Sequence, residues 1–285
     1  MAKLLRWTGY VLAVLVLFLA LAAAYIWIAS SRYLAANAGP KPERLAVPAA
    51  AQLADGPRQL RILGCVSCHG EGLRGKLFFD EPDVAKVYAP NLTLIAAKAT
   101  DQQLAQAIRQ GVSHDGRGLF IMPSAQYARL TDGEVAALIS AIRVQPKGGE
   151  QTPAIQLGPI GRFGVVAGKF RTQPAVVDEF AQNMPVDLGP KFAKGRHLAM
   201  TNCAECHGSS FRGGEPKPGL KAPDLSIVGS YDLPSFSKLL RTGVPASGKK
   251  LELMDYVSKN DFSHYTDEEI ASLHAYLVER AQRAP

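Results

Sequence analysis

The chain has 285 residues, 47% of them hydrophobic and 20% charged, a length that suggests about two domains and a composition that excludes a long disordered polymer. Lysine and arginine exceed aspartate and glutamate by seven, but residues 1–54 hold +4 of that, and 55–150, 151–188 and 189–285 hold +1, 0 and +2. A nearly neutral body lacks the basic face that nucleic-acid binding needs, so no nucleic-acid partner is expected.

From Trp7 to Ser31 the only ionisable side chains are two tyrosines. These 25 residues at about 1.5 Å each exceed the roughly 30 Å hydrocarbon core of a bilayer. Lys3 and Arg6 precede the run, Arg32 follows it, and Trp7, Tyr10, Tyr25 and Trp27 lie towards its ends, as interfacial aromatics do. Residues 1–32 are expected to be a retained transmembrane anchor. A cleaved signal peptide, with Ala20-Leu21-Ala22 as the small-residue site, competes, but the apolar run is longer than an ordinary signal core. Either reading sends the rest of the chain across the membrane. Residues 33–54, with Pro40, Pro42 and Pro48, are expected to form a semi-rigid stalk.

All four cysteines fall in two copies of one pentapeptide, Cys65-Val-Ser-Cys68-His69 and Cys203-Ala-Glu-Cys206-His207. Cys-x-x-Cys-His is the attachment signature of c-type haem. One helical turn brings thiols at i and i+3 to one side, facing the two vinyl groups of a porphyrin, and the histidine that follows ligates the iron. A thioredoxin-like pair or a zinc site built from both pairs leaves the repeated histidine unexplained. Two covalently bound haem c groups are therefore expected, with His69 and His207 as iron ligands.

Other landmarks repeat too. Arg109-Gln-Gly-Val112 matches Arg241-Thr-Gly-Val244, Ala89-Pro-Asn-Leu-Thr93 matches Ala222-Pro-Asp-Leu-Ser226, and the Thr131 and Thr266 segments match, at separations of 132, 133 and 135 against 138 for the cysteine motifs. Near-constant separations predict two copies of one domain, at 55–150 and 189–285. In each, a short helix runs into the cysteine motif, a Gly/Pro-rich loop follows, then a middle helix (101–109, 233–241) and a closing helix (135–143, 270–280). Thr131 with Glu134 and Thr266 with Glu269 form the capping boxes of the closing helices. No run alternates with period two, so the fold class is all-α. Residues 151–188 are a connector, too apolar around 160–170 to be a free linker, expected to wrap across both domains or to offer a docking surface.

Met122 and Met254, 132 residues apart between the middle and closing helices, are the expected sixth iron ligands. His114 and His264 lie in loops and compete weakly for that role; His197 and His274 are expected to face solvent. Met200 and Met184 are assigned to packing.

On these motifs each copy resembles a class I c-type cytochrome domain, and the whole resembles a membrane-anchored dihaem cytochrome c of the kind that serves membrane-bound dehydrogenases and respiratory complexes. The resemblance implies that the carbonyls of Pro90 and Pro223 accept the Nδ1–H of the ligand histidines. It also implies that Arg109 and Arg241 lie near haem propionates. Tyr276, a packing aromatic in such domains, is matched by Ala141 in the first copy.

An iron with His and Met ligands has no open position, which leaves one-electron transfer. The expected function is electron transfer between a membrane-bound dehydrogenase or quinol-oxidising partner and a terminal oxidase or soluble cytochrome. The haem domains would lie on the periplasmic side of a bacterial cytoplasmic membrane. No catalytic residue is assigned and no activity is expected of the chain alone. The alternatives are a dihaem peroxidase and a haem-bearing accessory subunit of a larger respiratory complex.

Overall fold

A computed structural model describes residues 1–217 and 219–283; the last two residues of the expected second domain lie outside them. Helix α1 (Ala2–Ala35) is continuous, about 50 Å long at 1.5 Å per residue, and exposes Leu12, Leu15, Phe18 and Leu19. By length and composition it can cross a membrane.

Residues 36–49, within the segment expected to be a semi-rigid stalk, lie along the first half of the chain. The cause is a ladder of glutamines on α5 (Asp101–Gln110), spaced by four so that they share one helix face. Gln102 and Gln110 accept from the amides of Glu43 and Lys41, both at 2.9 Å, and Gln106 and Gln110 donate to the Lys41 carbonyl at 3.1 and 2.8 Å. The extended backbone thus finds the partners that its own conformation cannot supply. Residues 50–54, placed in the stalk by sequence, already belong to the next helix.

The first half runs α2 (Ala50–Ile62), α3 (Cys65–His69), β1 (Lys76–Glu81), β2 (Ala85–Ala89), α4 (Leu92–Ala96), α5, α6 (Ser124–Tyr127) and α7 (Asp132–Arg143). Its core gathers Leu60, Leu73, Leu104, Val135 and Leu138. The connector contributes β3 (Gln156–Leu157), α8 (Pro159–Val166) and α9 (Gln173–Gln182). Its Gln173 side chain accepts from the Ala125 amide at 3.3 Å, while Phe180 and Leu188 pack on the core of the second half. The second half runs α10 (Ala193–Asn202), α11 (Ala204–His207), β4 (Gly214–Lys217), β5 (Leu220–Ala222), α12 (Leu233–Thr242), α13 (Leu253–Asn260) and α14 (Asp267–Arg283), around Phe211, Phe236, Leu273, Tyr276 and Leu277.

The expected all-α class is corrected by two small antiparallel sheets, ordered β1-β2-β3 and β4-β5. The strands were invisible to periodicity because β1 is almost wholly exposed. Backbone closure sets the pairing: the Gly75 amide donates to the His69 carbonyl at 2.7 Å, and the Gly213 amide to that of His207 at 2.9 Å.

The halves repeat in detail beyond their element order. Gly56 of α2 packs so closely on α7 that an added Cβ would lie 3.0 Å from the Ala137 carbonyl and the Ala141 methyl; at Gly195 of α10 it would lie 2.0 Å from the Ser272 carbonyl and 2.7 Å from the Tyr276 Cβ. Glycine lets each helix pair approach to backbone contact. Leu73 and Phe211 are the non-glycine residues with positive φ among those described, at 56° and 64°, each four residues after a motif histidine and each buried. Where Ala141 replaces Tyr276, the second half gains a ring packed edge-on to Phe211 at 6.4 Å, with its hydroxyl donating to the Val186 carbonyl at 3.0 Å.

The halves meet through matched polar contacts. Arg58 of α2 makes a two-pronged bond to Glu269, at 2.7 and 2.9 Å, and His197 of α10 contacts Glu134 at 2.8 Å. Both glutamates are the capping-box residues of a closing helix, so each closing helix receives a basic side chain from the first helix of the other half. His197 is therefore an interface residue, not the solvent-facing one expected; His274 is likewise engaged, with the Tyr231 carbonyl at 2.8 Å. Glu269 is only 8% exposed, so removing its partner strands a buried charge. Arg58→Met is expected to cost about 2–4 kcal/mol, and adding Glu269→Gln should recover much of that, because glutamine keeps the cap without the charge; denaturant titrations of both variants check this.

Candidate functional site

Each Cys-x-x-Cys-His segment begins at the end of a long helix. α2 stops at Ile62, and Gly64, with φ 69°, turns the chain into α3; α10 runs through Asn202 to Cys203, which caps α11. The four thiols are free. Burial pushes Cys65 and Cys203 up to about 12 and Cys68 and Cys206 up to about 11, with the neighbouring Cys68 and Cys206 adding to the effect on Cys65 and Cys203. An apolar setting keeps thiols neutral and suits them to a hydrophobic ring more than to a metal dication. Among the described residues no cluster of three or more His, Cys, Asp or Glu is placed to hold a metal ion, so the two cysteine pairs make no common zinc site.

The hairpins aim the histidines. β1–β2 returns the chain so that the Pro90 carbonyl lies 2.8 Å from Nδ1 of His69, and β4–β5 does the same for Pro223 and His207 at 2.8 Å. The next residue in each half braces the proline: the Asn91 side chain accepts from the Thr93 amide at 3.0 Å, and Asp224 accepts from the Ser226 amide at 2.7 Å. Arg280, 4% exposed, holds Asp224 at 3.0 Å and the Ser210 carbonyl at 3.2 Å. Burial lowers the pKa of both histidines, opposed by the proline carbonyl, so each is a neutral imidazole at pH 7. With Nδ1–H donated to the carbonyl, the Nε2 lone pair is left for a metal.

Met122 lies in the loop before α6 and packs on the first core. Met254 packs on the second core but stands in the first turn of α13, a helix where sequence suggested a loop. Arg109 and Arg241 have partners inside the protein. Arg109 bonds Asp132 at 2.8 Å and Glu43 at 2.9 Å; Arg241 bonds Asp267 at 2.6 Å and the Ser263 carbonyl at 3.2 Å. In both halves the aspartate opens the closing helix. His114 is in a turn, its ring 3.4 Å from the Ser113 hydroxyl, and His264 gives its carbonyl to Arg58 at 3.0 Å across the interface.

Sequence reasoning missed the residues that join the two motifs across the interface. Ser67, between the cysteines of the first motif, donates to Asp261 of the second half. Glu205, at the same place in the second motif, donates its amide to Gln126 of the first at 3.1 Å. Asp261 and Gln126 occupy matching places before their closing helices, so both motifs take part in one interface. Aligning the halves would have exposed the pattern, but no single motif contains it.

The free thiol pairs, the oriented neutral imidazoles and the methionine in each core make a donor set that fits haem c: Cys65, Cys68, Cys203 and Cys206 for covalent attachment, His69 and His207 for the iron. Residues 192–281 match the cytochrome c family. The match covers about a third of the chain, within its second half. The chain is similar to the cytochrome c subunit of the cytochrome bc1 complex of Corynebacterium diphtheriae, 26% identical over 193 residues that cover 63% of this chain and 58% of the relative. It is also similar to the fructose dehydrogenase cytochrome subunit of Gluconobacter japonicus, 31% identical over 105 residues, 31% of this chain and 21% of that one. A nicotinate dehydrogenase subunit of Pseudomonas putida is 25% identical over 215 residues, covering 70% and 18%. The chain thus spans between about a fifth and three fifths of the length of these relatives. A cytochrome c domain implies covalent haem c and points to electron transfer.

Burial pushes Asp261 up to about 6, against the lowering effect of Ser67 and Lys76. A carboxyl whose folded pKa lies above its unfolded value weakens the fold as pH rises through that interval. Asp261→Asn keeps an acceptor for Ser67 and removes the charge. It is expected to raise stability at pH 7, by at most about 3 kcal/mol, and to lose this advantage as pH falls below 4. Melting curves of wild type and variant between pH 4 and 8 check the sign.

Proposed function

We propose that the chain is a membrane-anchored dihaem cytochrome c that passes single electrons between redox partners on the outer face of a bacterial cytoplasmic membrane. The two domains are residues 55–150 and 189–285, and α1 is the anchor. The observation that carries the reading is the recurrence, in both halves, of a Cys-x-x-Cys-His turn whose imidazole faces a proline carbonyl at 2.8 Å. Haem c, when bound, supplies a one-electron couple at an iron held by protein ligands.

The chain's own residues do the rest. The cysteines would hold the haem covalently, and the histidines, their tautomer set by the proline carbonyls, would bind its iron. Met122 and Met254 are proposed as the second iron ligand in each half. A thioether there favours the reduced state and, with the histidine, leaves no place for substrate. The interface holds the two motifs in a fixed relation through Ser67 with Asp261 and Glu205 with Gln126. The partners proposed are a membrane-bound dehydrogenase or quinol-oxidising complex on one side and a terminal oxidase or soluble cytochrome on the other. The similarity to cytochrome subunits of a bc1 complex and of a sugar dehydrogenase supports this choice.

Purified protein is expected to contain two haems per chain by pyridine haemochrome assay, both low-spin when oxidised. Met122→Ala should turn one of the two high-spin, and Met254→Ala the other. One haem per chain would overturn the dihaem reading, and peroxide turnover by the wild type would overturn the carrier reading.

Membrane fractions should retain the whole chain, with an intact mass that includes residues 2–32. Recovery of a soluble form lacking the apolar run would replace the anchor with a signal peptide.

A further inference from the structure

Helix α8 has an environment that neither half explains. On one side it packs on the last turns of α1. Arg162 lies over the Trp27 ring at 3.5 Å and donates to the Ser30 and Ser31 hydroxyls at 2.9 and 3.0 Å and to the Trp27 carbonyl at 3.4 Å. On a second side it seats on the turn between β1 and β2. The Ile160 amide donates to the Asp83 carbonyl at 2.8 Å, and a Cβ on Gly161 would lie 1.9 Å from the Val84 carbonyl, so only glycine allows the contact. The third side is bare: Ile160 and Phe163, three residues apart on one face, are 57% and 60% exposed.

Two further observations bear on what covers that face. Trp27 and Ile28, near the end of the apolar run on which α8 packs, are themselves exposed, at 60% and 49%, so α8 and its bare face stand at the end of the apolar surface of α1. From Gln151 to Val177 the chain has three basic residues, Arg162, Lys169 and Arg171, and no acidic one. Arg171 is paired with Glu179 at 2.6 Å, and the turn that α8 seats on carries Glu81 and Asp83. On α8 and the segment after it, an exposed apolar pair beside Arg162 and Lys169 suits a bilayer interface, where side chains enter the acyl boundary and cations meet phosphate headgroups.

We propose that α8 lies on the membrane surface, with the bilayer leaflet around Trp27 covering the Ile160–Phe163 face. This rests on the reading of α1 as a retained anchor. A hydrogen bond from Arg162 to the Trp27 carbonyl puts α8 at the level of the aromatic belt, because the helix is only about 12 Å long. Its seat on the β1–β2 turn then ties the strands that hold Pro90 against His69 to the bilayer. The first site keeps a set height and tilt above the membrane, which a single flexible tether would not give it.

The test uses the unmodified full chain in nanodiscs that contain a phosphatidylcholine with an acyl-chain diazirine. Photolysis followed by peptide mass spectrometry is expected to place lipid adducts on residues 159–167 as well as on α1, with about tenfold fewer on the 247–250 loop. Phe163→Asp should cut the adducts at 159–167 several-fold and leave those on α1 unchanged. Adducts confined to α1 would overturn the proposal while leaving the anchor intact. An intact mass lacking the apolar run would remove the anchor and the proposal together, and the mass distinguishes that case. In native membranes, p-benzoylphenylalanine in place of Phe163 should crosslink to lipid; a crosslink to a protein would assign the face to a protein partner and overturn the proposal.

Discussion

The bond between the motif imidazole and a proline carbonyl governs the layout of each half. A histidine that is to present Nε2 must give its Nδ1–H to a fixed acceptor, and in both halves that acceptor comes from about twenty residues further along the chain. Bringing it back requires a reversal, which the β1–β2 and β4–β5 hairpins supply. Holding it requires a brace, which Asn91 and Asp224 supply. The positive φ of Leu73 and Phe211 lies inside the same reversal. Such conformations are unfavourable for side chains of that size, and the burial of both residues in the cores offsets the strain.

The two halves are joined by charge as much as by apolar contact. A capping-box glutamate ordinarily faces solvent, where its pairing contributes little. Here Glu134 and Glu269 are turned to the other half, where burial would raise their pKa but His197 and Arg58 hold them below the usual value. The same residues therefore start a helix and lock an interface. Buried polar contacts of this kind are sensitive to register, since a shift of one turn would leave each partner unsatisfied. Ser67 and Glu205, which precede the second cysteine of each motif, share this interface, so the attachment segments are set relative to each other by the contacts that join the halves.

The segments that flank the first half are put to use rather than left as tethers. The proline-rich segment after α1 is fixed by the glutamine ladder of α5, and the connector returns to α1 through Arg162 and through Tyr33, whose hydroxyl accepts from the Thr172 amide at 3.0 Å. The C-terminal end of the apolar helix is thereby held by segments on both sides of the first half. Neither segment buries enough apolar surface to fold alone, and each is ordered by hydrogen bonds to elements that fold without it.

The sequence by itself determined the chemistry and most of the helices. Cys-x-x-Cys-His and the Thr–Glu capping boxes act within a few residues, so their spacing carries their meaning. The apolar run of α1 and the repeat of landmarks are equally local. What only the tertiary structure decided depends on residues far apart in the chain. The strands are set by backbone closure and show no alternation. The employment of Arg109 and Arg241 depends on aspartates 23 and 26 residues away. The roles of His197, Asp261 and Gln126 depend on the other half altogether. Local rules describe a side chain's options, and the folded environment selects among them, because a buried charge or amide is stable only where a partner from elsewhere in the chain reaches it.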